Sequence, residues 1–221
     1  MIAAEHVTGF EDRLRGLRFT AAGRAERPLF RELNPSMEHS PILKAAPQKP
    51  RPASVLIPIL SRGESHTVLL TVRAPTMPSH AGEISFPGGG PRKGDVTPVD
   101  TALREAHEEV GISRDHIDVM SQFGPHHGGL GYIVTPVVGL VNEPPEIRPC
   151  AREVSEAFEV PLDHFLNLDN HVVVDRRFGE IDYKMFAVPY GEGENRRFIW
   201  GLTAGILHTF AMAWHGRPLK P

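Results

Sequence analysis

Glu105, Glu108 and Glu109 are the residues in this chain whose types and spacing most plainly suggest chemistry. They fall in the run Ala-Leu-Arg-Glu-Ala-His-Glu-Glu-Val-Gly-Ile, residues 102–112. Residues three and four apart share a helix face, so on an α-helix these carboxylates occupy about 100° of arc. Carboxylates that close repel one another, and near a helix C-terminus the macrodipole adds to the cost. A bound cation removes both penalties. Hard divalent ions such as Mg²⁺ or Mn²⁺ take oxygen ligands and commonly combine carboxylates with substrate phosphate oxygens. The chemistry that follows is metal-assisted attack of water on phosphorus, with a carboxylate as general base. Upstream, Gly88-Gly89-Gly90 supplies backbone that can approach a phosphate or an ion closely. A Glu-Glu pair alone would read as a solvated helix face; the third carboxylate and the glycine run favour the cation.

The elements that must position these groups are written around them. Thr97 is a helix N-cap, Pro98 suits the first helical position, and Asp100 stands where a capping box needs its acid. Gly111 is the natural stop. Val99, Ala102, Leu103, Ala106 and Val110 form an apolar stripe, so that face packs on a sheet and the glutamates line the rim of a groove. Val55–Leu60 and Thr67–Arg73 read as a hairpin, with Pro58 marking an edge or a bulge. After a loop holding Pro75, Pro78 and His80, Ile84–Phe86 is a short strand that delivers the glycines. Strands follow at 119–123 and 133–141, joined by the glycine- and histidine-rich loop 124–131. Residues 153–159 read as a short polar segment, 163–168 as a helical turn, and 172–175 with 183–188 as another hairpin. Phe198 and Trp200 are assigned to the core. Leu202–Trp214 reads as a helix capped by Thr203. Strands and helices in this order predict an α/β fold with a mixed sheet covered by helices.

The chain has 221 residues, 40% hydrophobic and 23% charged, with a formal net charge of −3. That is ordinary for a globular protein and demands neither a nucleic-acid nor a membrane surface. Residues 1–53 read as an N-terminal arm, with a short helix over 9–18 and a proline-rich connector over 45–52. The arm packs on the core domain, packs on a second subunit to make a homodimer, or is a leader without chemistry. Residues 54–221 form the core domain. The single cysteine, Cys150, excludes an intrachain disulfide. With no apolar signal core at the N-terminus and no long apolar run, the cytoplasm is the expected location.

The segment from Arg104 to Ile112 resembles the tail of the Nudix box, Arg-Glu-apolar-x-Glu-Glu-x-Gly-apolar, without a gap. Toward the front, Phe86-Pro87-Gly88-Gly89 aligns with the usual Phe-Pro-Gly-Gly if the loop carries one extra residue, and Asp95 then takes the place of the first glutamate. Leu69-Leu70-Thr71-Val72-Arg73, His80-x-Gly82 and Phe86-Pro87-Gly88-Gly89, in this order, look like the coenzyme A diphosphatase branch. Many relatives have Arg where this chain has Pro78 and Asp where it has Arg92. The resemblance implies a Nudix α/β/α sandwich with a loop-helix-loop Nudix box. It also implies divalent-metal-dependent hydrolysis of the diphosphate of coenzyme A or its acyl or oxidised derivatives, giving 3′,5′-ADP and 4′-phosphopantetheine or its derivative. It implies metal ligation by Glu105, Glu108, Glu109 and the Gly88 carbonyl, and catalytic roles for Glu105, Glu109, Arg104 and Glu153, with Glu105 and Glu153 as candidate bases. Arg73, His80 and Gly89 would contact the nucleotide substrate. The alternatives are another nucleoside diphosphate derivative (ADP-ribose, NADH or a dinucleoside polyphosphate) and a non-catalytic nucleotide-binding module of the same fold.

Overall fold

In the computed structural model of the chain, the described residues are 3–17, 32–35, 49–77, 79–127 and 131–217, without the side chains of residues 3–8 and Phe178. Pro78, the connector residues 45–48, residue 18 and loop residues 128–130 lie outside them.

Among the described residues the chain forms a mixed eight-stranded sheet and a three-stranded one. The main path of the large sheet runs β3 (Ile84–Ser85), β2 (Ser65–Arg73), β1 (Arg51–Arg62), β7 (Tyr132–Val141), β5 (Asp118–Gln122). β4 (Gly88–Gly89) pairs with β1, β6 (His126–His127) with β7, and β8 (Val154–Pro161) with β2. β1 and β7 are parallel; the other pairs are antiparallel. The small sheet has the order β11 (Arg197–Trp200), β10 (Ile181–Tyr190), β9 (Val172–Phe178). Among the described residues, the longer α-helical elements are α1 (Ala3–Gly16), α2 (Pro98–Val110) and α4 (Gly201–Trp214), with the short α3 (Leu162–Leu166) between the last two.

Alternation along β1 shows how the layers form, because successive side chains leave opposite faces. Leu56 and Leu60 join Ala102, Leu103, Ala106 and Val110 of α2 in one apolar cluster. Ile57 and Ile59 join Ile206, Leu207 and Phe210 of α4 in the other. The sheet is thus covered by helices on both faces. α1 belongs to the second layer: Leu14 is fully buried there, Phe10 stacks on His66 at 3.9 Å, and Arg13 lies 3.9 Å over the Trp214 ring. Farther along the arm, Asn34 holds β10 with its side-chain amide, donating to Lys184 O at 2.9 Å and accepting from Lys184 N at 2.6 Å. The described residues of the arm, 3–17 and 32–35, therefore pack against the strands and helices that follow.

Four sequence expectations need correction. Pro58 is not on an edge, since β1 lies between β2 and β7. On its antiparallel side β1 pairs with β4 at Ser54 and Val55 and with β2 only from Ile59. Leu56 N–H points to that side, donating to Pro87 O, and by strand alternation so would a donor at residue 58. The proline falls in the gap between the two partners and leaves no ladder bond open. The polar segment 153–159 is mostly strand: β8 runs antiparallel to β2, with Leu69 opposite Glu159 and Val72 opposite Glu156. Thr203 does not cap α4; its hydroxyl donates to Ile84 O at 3.0 Å, and the cap position is Trp200, with no side-chain bond. Phe198 and Trp200 are half-buried outside the two apolar clusters, with the Arg176 guanidinium 5.5 and 5.3 Å from their rings.

Candidate metal centre

Helix α2 begins and ends where its sequence dictates. Thr97 accepts from Asp100 N, the Asp100 carboxylate accepts from Thr97 N at 2.9 Å, and Pro98 opens the first turn. Gly111 closes the helix at φ 78°, in the left-handed region that suits glycine. With both ends fixed and the apolar stripe buried, the helix has one rotation about its axis. That rotation turns Glu105 and Glu109 inward, where they are 4% and 3% exposed.

A third carboxylate reaches them from a distant part of the chain. Glu153 stands just before β8, and its carbonyl accepts from Ala74 N at 2.9 Å where the chain leaves β2. Glu105, Glu109 and Glu153 each bring one oxygen to within 4.8 Å of the others. Burial is the main cause that raises the Glu109 pKa, to about 8, and the Glu105 charge adds to it. Arg73 and the Gly88 N–H act in the opposite direction. A buried carboxylate crowded by two others is the donor set that a hard divalent cation fits. The chemistry of these three oxygens, two of them on buried residues, therefore suits Mg²⁺ or Mn²⁺.

Glu108 is not in that cluster. It is 34% exposed and faces guanidinium groups, with Arg92 Nη1 2.7 Å and Arg104 Nη1 3.2 Å from its Oε2. Arg104 organises the loop before the helix. It donates to Asp95 at 2.8 Å, to Glu105 Oε1 at 2.8 Å and to Gly90 O at 2.9 Å. Asp95 also accepts from Arg92 N at 2.9 Å and from the buried Thr101 hydroxyl at 3.1 Å. The bond from Arg104, followed by the others, holds the Asp95 pKa well below the usual carboxylate range.

The glycines of β4 lie against these side chains. Gly88 N–H donates to Glu109 Oε2 at 3.3 Å. A Cβ on Gly88 would meet Ser54 O at 2.5 Å, and one on Gly89 would meet Glu105 Oε1 at 2.5 Å. Residue 88 therefore needs glycine, since it faces backbone, whereas a side chain at residue 89 would displace the Glu105 carboxylate. Arg73, at the end of β2, carries a buried Nε without a hydrogen-bond partner. His80 takes φ 59° and meets Glu83 Oε2 at 2.8 Å through Nδ1, an interaction that braces its own loop. His126 is half-buried, with Nδ1 3.0 Å from Gly124 O and Nε2 3.1 Å from the Thr209 hydroxyl.

The structure therefore brings together Glu105, Glu109 and Glu153, flanks them with Gly88, Gly89, Arg73 and Arg104, and leaves Glu108 and His80 with partners of their own. Sequence reasoning missed Thr101 and the pairing of Arg92 with Glu108. Thr101 gave no signal, since a threonine on a helix is unremarkable. Arg92 gave one: a reversed charge in the loop that faces an acidic helix.

A family model described as NUDIX domain matches residues 50–180. An uncharacterized Nudix hydrolase named NudL from Pectobacterium atrosepticum is 38% identical over 168 residues, covering 76% of this chain and 85% of that protein. A protein of the same description from Yersinia pestis is 41% identical over 161 residues, covering 73% and 78%. The solved structure of the Nudix hydrolase RenU from M. smegmatis aligns over 52% of this chain and 73% of that one at 27% identity, with a TM-score of 0.44.

Proposed function

The chain belongs to the Nudix hydrolase family, and from that premise we propose that it cleaves the diphosphate of coenzyme A or of an acyl or oxidised derivative. The products are 3′,5′-ADP and 4′-phosphopantetheine or its derivative. The observation that carries the hydrolytic part is the convergence of Glu105, Glu109 and Glu153, two of them buried. The substrate rests on the flanking motifs, Leu69–Arg73, His80-x-Gly82 and Phe86–Gly89, which resemble the coenzyme A branch.

Glu105, Glu109 and Glu153 would hold the divalent ion, Mg²⁺ or Mn²⁺. When bound, it supplies Lewis-acid stabilisation of the charge on the diphosphate oxygens. The chain's own groups do the rest. Arg104 fixes the Glu105 carboxylate and the loop from Gly90 to Asp95 as one rigid unit. Arg73, whose charge acts on Glu109, is the cation assigned to a diphosphate oxygen. Glu105 and Glu153 are the carboxylates that can accept the proton of the attacking water. That water adds to one phosphorus, the bridging P–O bond breaks, and each half leaves as a phosphate monoester.

The reading is tested by offering coenzyme A, ADP-ribose and a dinucleotide to the purified chain with Mg²⁺ or Mn²⁺, and identifying the products by mass. Coenzyme A should give the two named halves. Intact coenzyme A beside rapid cleavage of ADP-ribose or the dinucleotide would move the enzyme to another substrate. No cleavage of any of them would favour a binding module.

A further inference from the structure

The partner of Glu108 is unusual for a carboxylate one residue from a buried cation-binding oxygen. Arg92 Nη1 lies 2.8 Å from Glu108 Oε1 and 2.7 Å from Oε2, so one guanidinium nitrogen bridges both oxygens. The position of Arg92 is set by its backbone: its N–H donates to Asp95 Oδ2 at 2.9 Å, and its carbonyl accepts from Asp95 N at 3.0 Å. Asp95 is in turn held by Arg104 at 2.8 Å. The loop is therefore pinned next to α2, and the Arg92 side chain reaches Glu108 from the solvent side. Arg104 Nη1, at 3.2 Å, completes the neutralisation of this carboxylate.

We propose that Arg92 is a built-in counter-cation for Glu108. It keeps this carboxylate out of the ion site formed by Glu105, Glu109 and Glu153, and its release makes Glu108 available to a further divalent ion. The inference rests on the metal reading of that site. Arg92 is 56% exposed and Glu108 34% exposed. Pairs this open hold weakly and give way to a better partner. Arg92 is thus a latch that a second ion, arriving with a polyanionic substrate, can displace. While in place, it both occupies the ligand oxygens and repels a cation approaching them.

The test counts ions rather than turnover. Free Mn²⁺ is followed by its paramagnetic resonance signal while the full chain is titrated, for the wild type and for Arg92→Ala, Arg92→Lys, Glu108→Gln, Glu109→Gln and the double variant Arg92→Ala/Glu108→Gln. Thermal melts establish that each is folded. The wild type should bind Mn²⁺ at a site that Glu109→Gln impairs and Glu108→Gln leaves nearly unchanged. Arg92→Ala should show an added Glu108-dependent step, or tighten an existing weak one by about twofold to fivefold. Arg92→Lys should behave like the wild type, and the double variant should lose the gain. A wild type that binds Mn²⁺ with a curve superimposable on that of Arg92→Ala overturns this inference and leaves the metal reading standing. So does a loss in Glu108→Gln as large as that in Glu109→Gln. Absence of binding in both the wild type and Arg92→Ala overturns the metal reading, and the inference with it.

Discussion

Gly89 and Glu105 touch: a Cβ built on residue 89 would lie 2.5 Å from Glu105 Oε1 and 2.7 Å from its Cδ. The main chain of β4 is a wall against which the carboxylate is set, and Arg104 donates to the same oxygen at 2.8 Å. Gly89→Ala should therefore push Glu105 off its position while the sheet and helix remain. Displacing a reacting group by about 1 Å costs on the order of 10²-fold in rate, and crowding a packed site costs about 1–3 kcal/mol in stability. Turnover and the unfolding midpoint, measured together, check this; a variant as active as the wild type would show that Glu105 needs no fixed position.

Arg104 contacts Asp95, Glu105, Glu108 and Gly90 O at once. A planar fork can do this and an ammonium cannot. Arg104→Lys should lose most of the turnover and destabilise the chain by about 1–3 kcal/mol in urea unfolding, the cost of leaving buried acceptors unpaired. Full activity in the lysine variant would mean that only charge matters at this position.

Glu109 is costly to the fold without a cation, because burial and Glu105 both oppose its charge. Glu109→Gln keeps the shape and removes the charge. Its unfolding midpoint without metal should equal or exceed that of the wild type. Adding Mn²⁺ should stabilise the wild type, by about 2.7 kcal/mol at a hundred times Kd, and leave the variant nearly unmoved, with most turnover lost. An equal Mn²⁺-induced shift in both would place the ion elsewhere.

His126 predicts a pH dependence of stability. Burial, opposed by the bond to Gly124 O and assisted by His127, lowers its pKa from 6.5 to about 4. Nδ1–H donates to the Gly124 carbonyl, and Nε2 lies 3.1 Å from the Thr209 hydroxyl, which has Gly205 O as its own acceptor at 3.0 Å. Above pH 6.5 folded and unfolded chains hold this ring in the same state. As pH falls from 6.5 toward 4, the unfolded chain takes the proton and the fold does not, so stability is lost across that window. The difference in unfolding free energy between the wild type and His126→Asn should shift in favour of the variant across it. A difference that stays constant with pH would show that the ring titrates normally in the fold.

Much of this architecture was legible because its signals are local. Thr97, Pro98, Asp100 and Gly111 mark the ends of α2 within the helix itself, and its apolar stripe states which face is buried. The hairpin of β1 and β2 was legible for the same reason. β8 was not, because its polar side chains find partners far away in sequence: Glu159 pairs with Arg62 and Thr67, and Glu156 with Arg197. Out of that context, Glu153–Glu159 reads as solvated chain. The same distance hid how Glu153 reaches Glu109, since the meeting depends on β2 and β8 lying side by side. Pro58 misled because the usual rule for prolines in strands assumes one continuous partner, and β1 changes partner at that residue.

The most direct measurement is the mass of the products formed from coenzyme A in ¹⁸O-water with Mg²⁺ or Mn²⁺. Cleavage of the diphosphate predicts 3′,5′-ADP and 4′-phosphopantetheine, with one ¹⁸O in a single one of the two and no inorganic phosphate. Unchanged coenzyme A, or labelled inorganic phosphate with the diphosphate intact, would contradict it.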